Sequence, residues 1–168
     1  MQSISGNAFE VINFLIRNFT KRYTIRNIAN ELKISPAGVH LILKKLEKNN
    51  ILVSEKLGTG LFYNINFENK VAVYLCSIVL MQYFDIKEPD FSREDVKAAI
   101  FDGKNLLLIS DEETIARVPD KIRAVVMSEN SFIENIKAKD KAVLELIKNG
   151  KVLFGEEIIV NSIKKKIA

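Results

Sequence analysis

The chain has 168 residues, 48% apolar and 27% charged, so it is neither disordered nor of low complexity and is long enough for one or two domains. Its longest apolar stretch, residues 71–81, is too short to span a membrane. The first ten residues lack the basic segment and cleavage site of a secretory signal. The single cysteine, Cys76, excludes an intramolecular disulfide, and we expect a cytoplasmic protein with no membrane partner.

Charge is distributed unevenly along the chain. Residues 1–66 carry nine Lys or Arg and four Glu, a net charge of +5. Residues 67–168 carry 16 basic and 17 acidic residues, a net charge of −1. This asymmetry predicts an N-terminal module that meets a polyanion, followed by a near-neutral module with another task.

Three amphipathic helices are predicted before residue 50. The first follows Ser5-Gly6, the second has Thr24 as its N-cap, and the third begins at Ser35-Pro36, an N-cap followed by a proline. Their apolar stripes are Ala8, Phe9, Ile12, Leu15, Ile16 and Phe19; Ile25, Ile28, Ala29 and Leu32; and Val39, Ile42, Leu43 and Leu46. The second and third helices are joined by Lys33-Ile34-Ser35, which is the spacing of a helix-turn-helix.

A β-hairpin is predicted next, because the β-rich runs Ile51–Lys56 and Leu61–Asn66 flank the glycine-containing turn Leu57–Gly60. Three helices followed by a hairpin predict a winged helix over residues 1–66. The run from Tyr23 to Asn66 resembles the winged helix-turn-helix of small bacterial and archaeal transcription regulators. The matching features are Ile-x-x-x-Leu-x-Ile-Ser before the third helix, Leu-Lys-Lys-Leu-Glu-Lys-Asn within it, and the closing Tyr-Asn-Ile-Asn. The resemblance implies sequence-specific binding of double-stranded DNA.

The face of the third helix opposite its apolar stripe is the candidate DNA-reading surface. Small residues near its start let the helix approach base edges, its first N–H groups suit a phosphate, and its lysines suit the DNA backbone. The candidate DNA-binding residues are Arg26, Ser35, Ala37, Gly38, His40, Leu41, Lys44, Lys45 and Lys56, and Lys48 lies on the same helix face. Leu41 is unusual there: it either contacts a thymine methyl or packs against another element or subunit.

Residues 67–84 predict a long helix that is apolar almost all the way round from Val71 to Met81, and such a helix must be buried on several sides. We expect it to lie between two domains or against a second copy of the chain, and we expect a homodimer. The candidate dimer-interface residues are Val71, Val73, Tyr74, Ile78, Leu80 and Met81. Residues 67–95 thus form a linking helix and a linker, Asp85–Arg93.

Residues 96–168 alternate strand and helix signals, so the predicted fold class is α+β, with a small α/β domain after the winged helix. Strands are predicted at Val96–Phe101, Asn105–Ser110, Lys121–Met127 and Lys151–Phe154, with a turn at Asp102-Gly103-Lys104. Helices are predicted from Ser128 through Ile136, over Ala138–Asn149, and from Gly155 onward, with Ile158, Ile159, Ile163 and Ile167 on the apolar side of the last one.

The run Glu129–Lys165 resembles the C-terminal portion of a minimal nucleotidyltransferase domain, in which a lysine-aspartate helix leads to a glycine and a glycine-glutamate opens the last helix. The resemblance covers residues 96–166. That family needs a Gly-Ser turn and paired carboxylates on a strand for two metal ions. The chain has no Gly-Ser, and the expected strand, Asn105–Ile109, contains no carboxylate. We therefore expect an inactive domain without cofactor or metal, used for dimerisation or for sensing a small-molecule effector.

Two other functions stay open. One is a protein–protein interaction module that uses the winged helix. The other is a cryptic Mg²⁺-dependent nucleotidyltransferase with its site around Asp102, Asp111 and Glu112. The acidic triplet Asp111-Glu112-Glu113 is, however, more typical of the solvated start of a helix than of a metal site.

Overall fold

The structure is a computed structural model that describes residues 6–81, 87–91, 94–111 and 118–167. The chain divides into two compact units, Met1–Val79 and Leu80–Ala168. Both units combine helices with a β-sheet, which confirms the predicted α+β class. Within these described ranges, no helix is long and apolar enough to cross a membrane.

The first unit contains three helices, a two-stranded antiparallel hairpin and all but the last residue of a fourth helix. Its elements are α1 (Gly6–Arg17), α2 (Ile25–Leu32), α3 (Pro36–Lys48), β1 (Leu52–Leu57), β2 (Gly60–Ile65) and α4 (Lys70–Leu80). The predicted elements before residue 67 are confirmed to within a few residues. The helix predicted over 67–84 begins later because the Asn69 side chain accepts the N–H of Val71 at 2.9 Å and caps the helix start. Residues 82–84 lie outside the described residues.

Thr24 anchors the start of α2 both to its own helix and to the hairpin. Its side chain accepts the N–H of Asn27, and the Asn27 side chain accepts the N–H of Thr24 in return. Thr24 also forms an antiparallel bridge with Phe62 of β2. The guanidinium of Arg22 lies 3.1 Å from the carboxylate of Glu55 on β1. The hairpin is therefore fastened to the N-terminal end of α2.

Local hydrogen bonds set the corner between α2 and α3. Helix α2 ends at Lys33, whose φ of 54° is left-handed, and the N–H of Ile34 donates back to a carbonyl of α2. Ser35 then caps α3 by accepting the N–H of Gly38 at 3.1 Å, with Pro36 at the first helical position. The direction of α3 is thus determined by residues on either side of a three-residue corner.

The predicted apolar stripes turn inward and form the core of the first unit. Burial of each large side chain stabilises the fold by about 1.5–3 kcal/mol. The predicted positions Phe9, Phe19, Ile25, Leu32 and Ile42 are only half-buried. The buried apolar residues of the helices and hairpin include Val11, Ile12, Ile16, Ile28, Val39, Leu43, Leu46, Leu52, Tyr63 and Ile65.

The second unit is a four-stranded mixed sheet with three helices. Its elements are β3 (Ala98–Phe101), β4 (Asn105–Ile109), β5 (Arg123–Met127), α5 (Glu129–Ala138), α6 (Lys141–Asn149), β6 (Lys151–Phe154) and α7 (Glu156–Ile167). The strand order is β5-β4-β3-β6, with β4 and β5 parallel and the other pairs antiparallel. The strands predicted from Val96 and Lys121 each begin two residues later, and the side chain of Ile167 lies outside the described part.

Gly155 determines where α7 can begin. It adopts a φ of +74°, a region that favours glycine. A Cβ at this position would collide with the carbonyl oxygen of Lys97 and with Ala98, at the start of β3. The predicted glycine-glutamate opening of the last helix is therefore present, and close packing against β3 explains the glycine.

Candidate nucleic-acid interface

The exposed side of α3 combines basic, small and apolar side chains. Val39, Leu43 and Leu46 are buried. Because successive residues are about 100° apart around a helix, positions 37, 41, 44 and 48 form one stripe opposite this buried side. We define the α3 outer face as the exposed residues Ala37, His40, Leu41, Lys44, Lys45 and Lys48.

All nine residues predicted to bind DNA lie in the first unit, and five of them are on the α3 outer face. Of the other four, Ser35 is exposed at the N-terminal end of α3 and Gly38 is half-buried in its first turn. Arg26 is exposed on α2, and Lys56 is exposed on β1 near the hairpin turn. Helix α3 therefore carries most of the predicted site.

Lys44 on the α3 outer face forms an ion pair with Glu47. Its Nζ lies 2.9 Å from Glu47 Oε2, and the other carboxylate oxygen accepts the hydroxyl of Ser54 on β1. Hydrogen bonds from Ser54 and Lys44 lower the pKa of Glu47, and the bond to Glu47 raises the pKa of Lys44. One carboxylate thus neutralises a lysine of the face and joins α3 to the hairpin.

Tyr63 of β2 is a further member of this cluster that sequence reasoning missed. The residue is buried, and its hydroxyl has no hydrogen-bond partner at bonding distance among the described residues. Burial raises the pKa of Tyr63, and the positive charge of Lys44 acts in the opposite direction. The pairing of Lys44 with Glu47 is readable from their i, i+3 spacing, but the approach of Ser54 and Tyr63 depends on how the hairpin packs.

Some polar groups in the first turn of α3 are hydrogen-bonded within the chain. Ser35 Oγ accepts the N–H of Gly38, so this N–H is already satisfied within the chain. A Cβ at Gly38 would lie 3.1 Å from Ser35 Oγ and 3.2 Å from the Ile34 side chain, closer than ordinary contact. Gly38 therefore has a packing reason to be small, whereas the exposed Ala37 has none.

Several cations of the first unit remain open to solvent. Arg26, Lys48 and Lys56 are exposed and form no ion pair with any residue that the structure describes. Arg22, by contrast, is paired with Glu55. The net charge of +5 in residues 1–66 is thus carried largely by accessible side chains, as a surface for a polyanion requires.

The exposed side of α4 is apolar rather than basic. Val71, Tyr74 and Ile78 on the helix, together with Met81 directly after its last residue, are 48–58% exposed. Their intervals of three, four and three residues are those of the seam in a coiled coil. We call these four residues the α4 stripe, and nothing in the described part of the chain covers it.

The opposite side of α4 is buried, and two predicted interface residues differ from the α4 stripe. Val73 is half-buried, and Leu80 is fully buried within the chain. Cys76 is also fully buried, and burial raises the pKa of its thiol to about 12, which keeps it protonated and unreactive. Leu80 therefore belongs to the core rather than to an accessible surface.

The carboxylates considered for a metal site lie at opposite ends of β4. Asp102 is in the β3–β4 turn and accepts two backbone N–H groups, and Asp111 pairs with Lys97 after the other end of the strand. A five-residue strand spans about 17 Å, so these two carboxylates cannot bind one ion. Residues 112–113, which include the other acids of the triplet, lie outside the described residues. The described ranges contain no group of three or more His, Cys, Asp or Glu that could hold a metal.

An open cleft of about 450 Å³ in the second unit lies between α5 and α7. Lys165 Nζ lies 3.0 Å from Glu129 Oε1 at its edge. The lining residues are Glu129, Ile158, Asn161, Lys164 and Lys165. The cleft offers both charges and an apolar side chain to a small molecule.

Comparisons with protein-family models, with curated proteins and with solved structures found no match for this chain. We therefore infer the function from the basic α3 outer face and the apolar α4 stripe.

Proposed function

We propose that the first unit is a winged helix that binds double-stranded DNA and that the protein is a sequence-specific transcription regulator. The observation that carries the proposal is the α3 outer face, which bears three lysines and no acidic residue. The three-residue corner before α3 and the hairpin after it support the winged-helix assignment. Both features come from contacts within the first unit alone.

In this proposal α3 enters the major groove and the rest of the unit contacts the backbone. Ala37 and His40, near the N-terminal end of α3, face base edges. Lys45 and Lys48 contact phosphates, which set the register of the helix rather than the sequence. Arg26 and Lys56 contact the flanking backbone from α2 and from the hairpin.

We propose that the α4 stripe joins two copies of the chain. The stripe contains no charge, and its seam spacing is matched by the same stripe on a second copy related by a two-fold axis. Such a dimer would place two α3 helices in successive major grooves, about one helical turn apart. The proposed interface uses Val71, Tyr74, Ile78 and Met81 and leaves out the buried Leu80.

We propose that the second unit is a degenerate nucleotidyltransferase-like domain that senses an effector or supports dimerisation in the cytoplasm. The carboxylate-free strand β4 and the separation of Asp102 from Asp111 support a role without catalysis. The cleft between α5 and α7 is where a small-molecule effector would bind.

Salt dependence of duplex binding tests the DNA proposal. We expect the full-length protein to bind a short mixed-sequence duplex with an affinity that falls steeply as salt rises, because binding releases counterions. Lys48→Ala should weaken binding to all sequences and reduce the slope of log affinity against log salt by about 1. Gel-shift titrations at several salt concentrations measure both quantities.

The matched control is Lys148→Ala, which removes an exposed lysine from α6 in the second unit. This variant should bind like the wild type, with an unchanged salt slope. Salt-independent binding by the wild type, or equal effects of the two substitutions, would contradict DNA binding through α3.

A further inference from the structure

Leu41 is the most exposed large apolar side chain on the described surface, at 70%. It lies on the stripe of α3 directly opposite the buried side, one turn after Ala37 and one turn before Lys45. An exposed leucine on a face of lysines gains nothing from water. A partner that meets the outer face of α3 would bury this side chain and so gain the free energy of removing it from water.

The chemistry of the surrounding face restricts that partner. An extended apolar protein surface would have to desolvate the charges of Lys44 and Lys45 beside Leu41 and would offer them no anionic group in exchange for water, which is unfavourable. The major groove offers a different combination, since the C5 methyl of thymine is a small apolar group among polar base edges and between rows of phosphates. Leu41 with Lys44 and Lys45 beside it matches that pattern of one apolar and several anionic contacts.

We infer that Leu41 contacts the C5 methyl of a thymine in the major groove and so selects thymine over cytosine at one position of each half-site. The inference rests on the proposed DNA-binding function. Ala37 supports it, because a small residue one turn earlier on the same stripe lets the helix backbone come close to the base edges. Leu41 is thus a specificity-determining residue, whereas Lys45 and Lys48 supply affinity without sequence preference.

Removing the methyl group from the DNA and the side chain from the protein tests the contact from both sides. Duplexes are selected from a random pool by the full-length protein, and each thymine of the selected site is then replaced singly by deoxyuridine, which lacks only the methyl. We expect one position per half-site at which the replacement weakens wild-type binding about fourfold, equivalent to about 0.8 kcal/mol. Leu41→Ala should weaken binding to the thymine duplex and show no further loss on the deoxyuridine duplex.

Val125→Ala is the matched control, because it trims another exposed apolar side chain, on β5 in the second unit. It should keep both the wild-type affinity and the wild-type response to deoxyuridine. Thermal unfolding of the Leu41→Ala variant should match the wild type, since the side chain is exposed.

The outcomes separate this inference from the proposed function. Two results would overturn the inference and leave DNA binding supported. In the first, the wild type binds DNA in a salt-dependent way, but no replacement of thymine by deoxyuridine changes its affinity. In the second, the affinity of the Leu41→Ala variant still falls when deoxyuridine replaces thymine. A change in oligomeric state on Leu41→Ala, measured by light scattering, overturns it as well, because Leu41 would then pack against protein. Absence of salt-dependent duplex binding by the wild type overturns both.

Discussion

Helices α3 and α4 share one geometry and carry opposite chemistry on their exposed sides. Each has one apolar side that is buried within the chain. The outer face of α3 presents three lysines, whereas the α4 stripe presents four large apolar side chains and no charge. Helical periodicity therefore identifies only the buried side of a helix. The composition of the exposed side distinguishes a surface for a polyanion from a surface for an apolar partner.

Chemical labelling of Cys76 sharpens the distinction between the two sides of α4 and has the largest expected effect. Burial raises the pKa of its thiol from 9.0 to about 12. Because each unit of pKa changes the thiolate fraction about tenfold, alkylation by iodoacetamide near neutral pH should be about 10³-fold slower in the native protein than in denaturant. Mass spectrometry over time measures both rates. A native rate close to the denatured one would mean that the inner side of α4 is accessible.

Ile78→Glu tests whether the α4 stripe joins two copies. A carboxylate in the middle of the seam would be buried without a partner, so we expect the dimer dissociation constant to rise at least about 100-fold, equivalent to about 2.7 kcal/mol. Sedimentation equilibrium measures the constant. The affinity for a duplex with two half-sites should fall as the dimer dissociates, because the two α3 helices then no longer bind as one unit.

Leu57→Glu places the same charge on an exposed apolar position at the end of β1, away from the α4 stripe, and should leave the dimer intact. A wild type that stays monomeric at every concentration, or an Ile78→Glu variant that still dimerises like the wild type, would contradict the proposed interface.

Glu47→Gln has the smallest expected effect and tests whether the α3 outer face is partly neutralised. Glutamine can still accept the Ser54 hydroxyl, but it lacks the charge that holds Lys44. We expect duplex binding to strengthen about two- to fivefold and its salt slope to steepen, because Lys44 then meets a phosphate without leaving a carboxylate. Gel-shift titration in parallel with the wild type measures both, and weaker binding would contradict this role of Glu47.

The same variant should change how stability depends on pH. The pKa of Glu47 is lowered by its bonds from Ser54 and Lys44, so its contribution to the free energy of unfolding is complete above the ordinary glutamate pKa and is lost as pH falls through the lowered value. As pH falls to and below the ordinary glutamate pKa, the wild type should therefore lose more stability than Glu47→Gln. Thermal unfolding at a series of pH values checks this, and equal losses would speak against it.

Local patterns predicted the helices and hairpins well because their signals are complete within a few residues. The cap at Thr24, the Ser35-Pro36 start and the Asp102-Gly103-Lys104 turn all operate between near neighbours in the chain. The bridge between Thr24 and Phe62 and the pairing of β3 with β6 join distant segments, and no local pattern specifies them. The late start of α4 was readable in principle, because Asn69 is a good helix cap.

The candidate site could be predicted in its composition but not in its internal contacts. Periodicity alone places His40, Leu41 and Lys44 on the exposed side of α3. It does not show that Glu47 holds Lys44 or that Ser54 reaches the same carboxylate, since both depend on the hairpin lying against the helix. Gly38 illustrates the same limit, because its role in packing the corner becomes visible only beside the Ile34 side chain.

Gly155 has a consequence for how this protein can change over generations. A single added carbon at that position would meet Lys97 and Ala98 at the start of β3, so we expect selection to retain the glycine. Gly58 and Gly103 also have positive φ values but stand in open space, so replacements there carry backbone strain alone. Substitutions at Gly58 and Gly103, in the turns of the two sheets, should therefore be tolerated more often than a substitution at Gly155, at the start of the final helix.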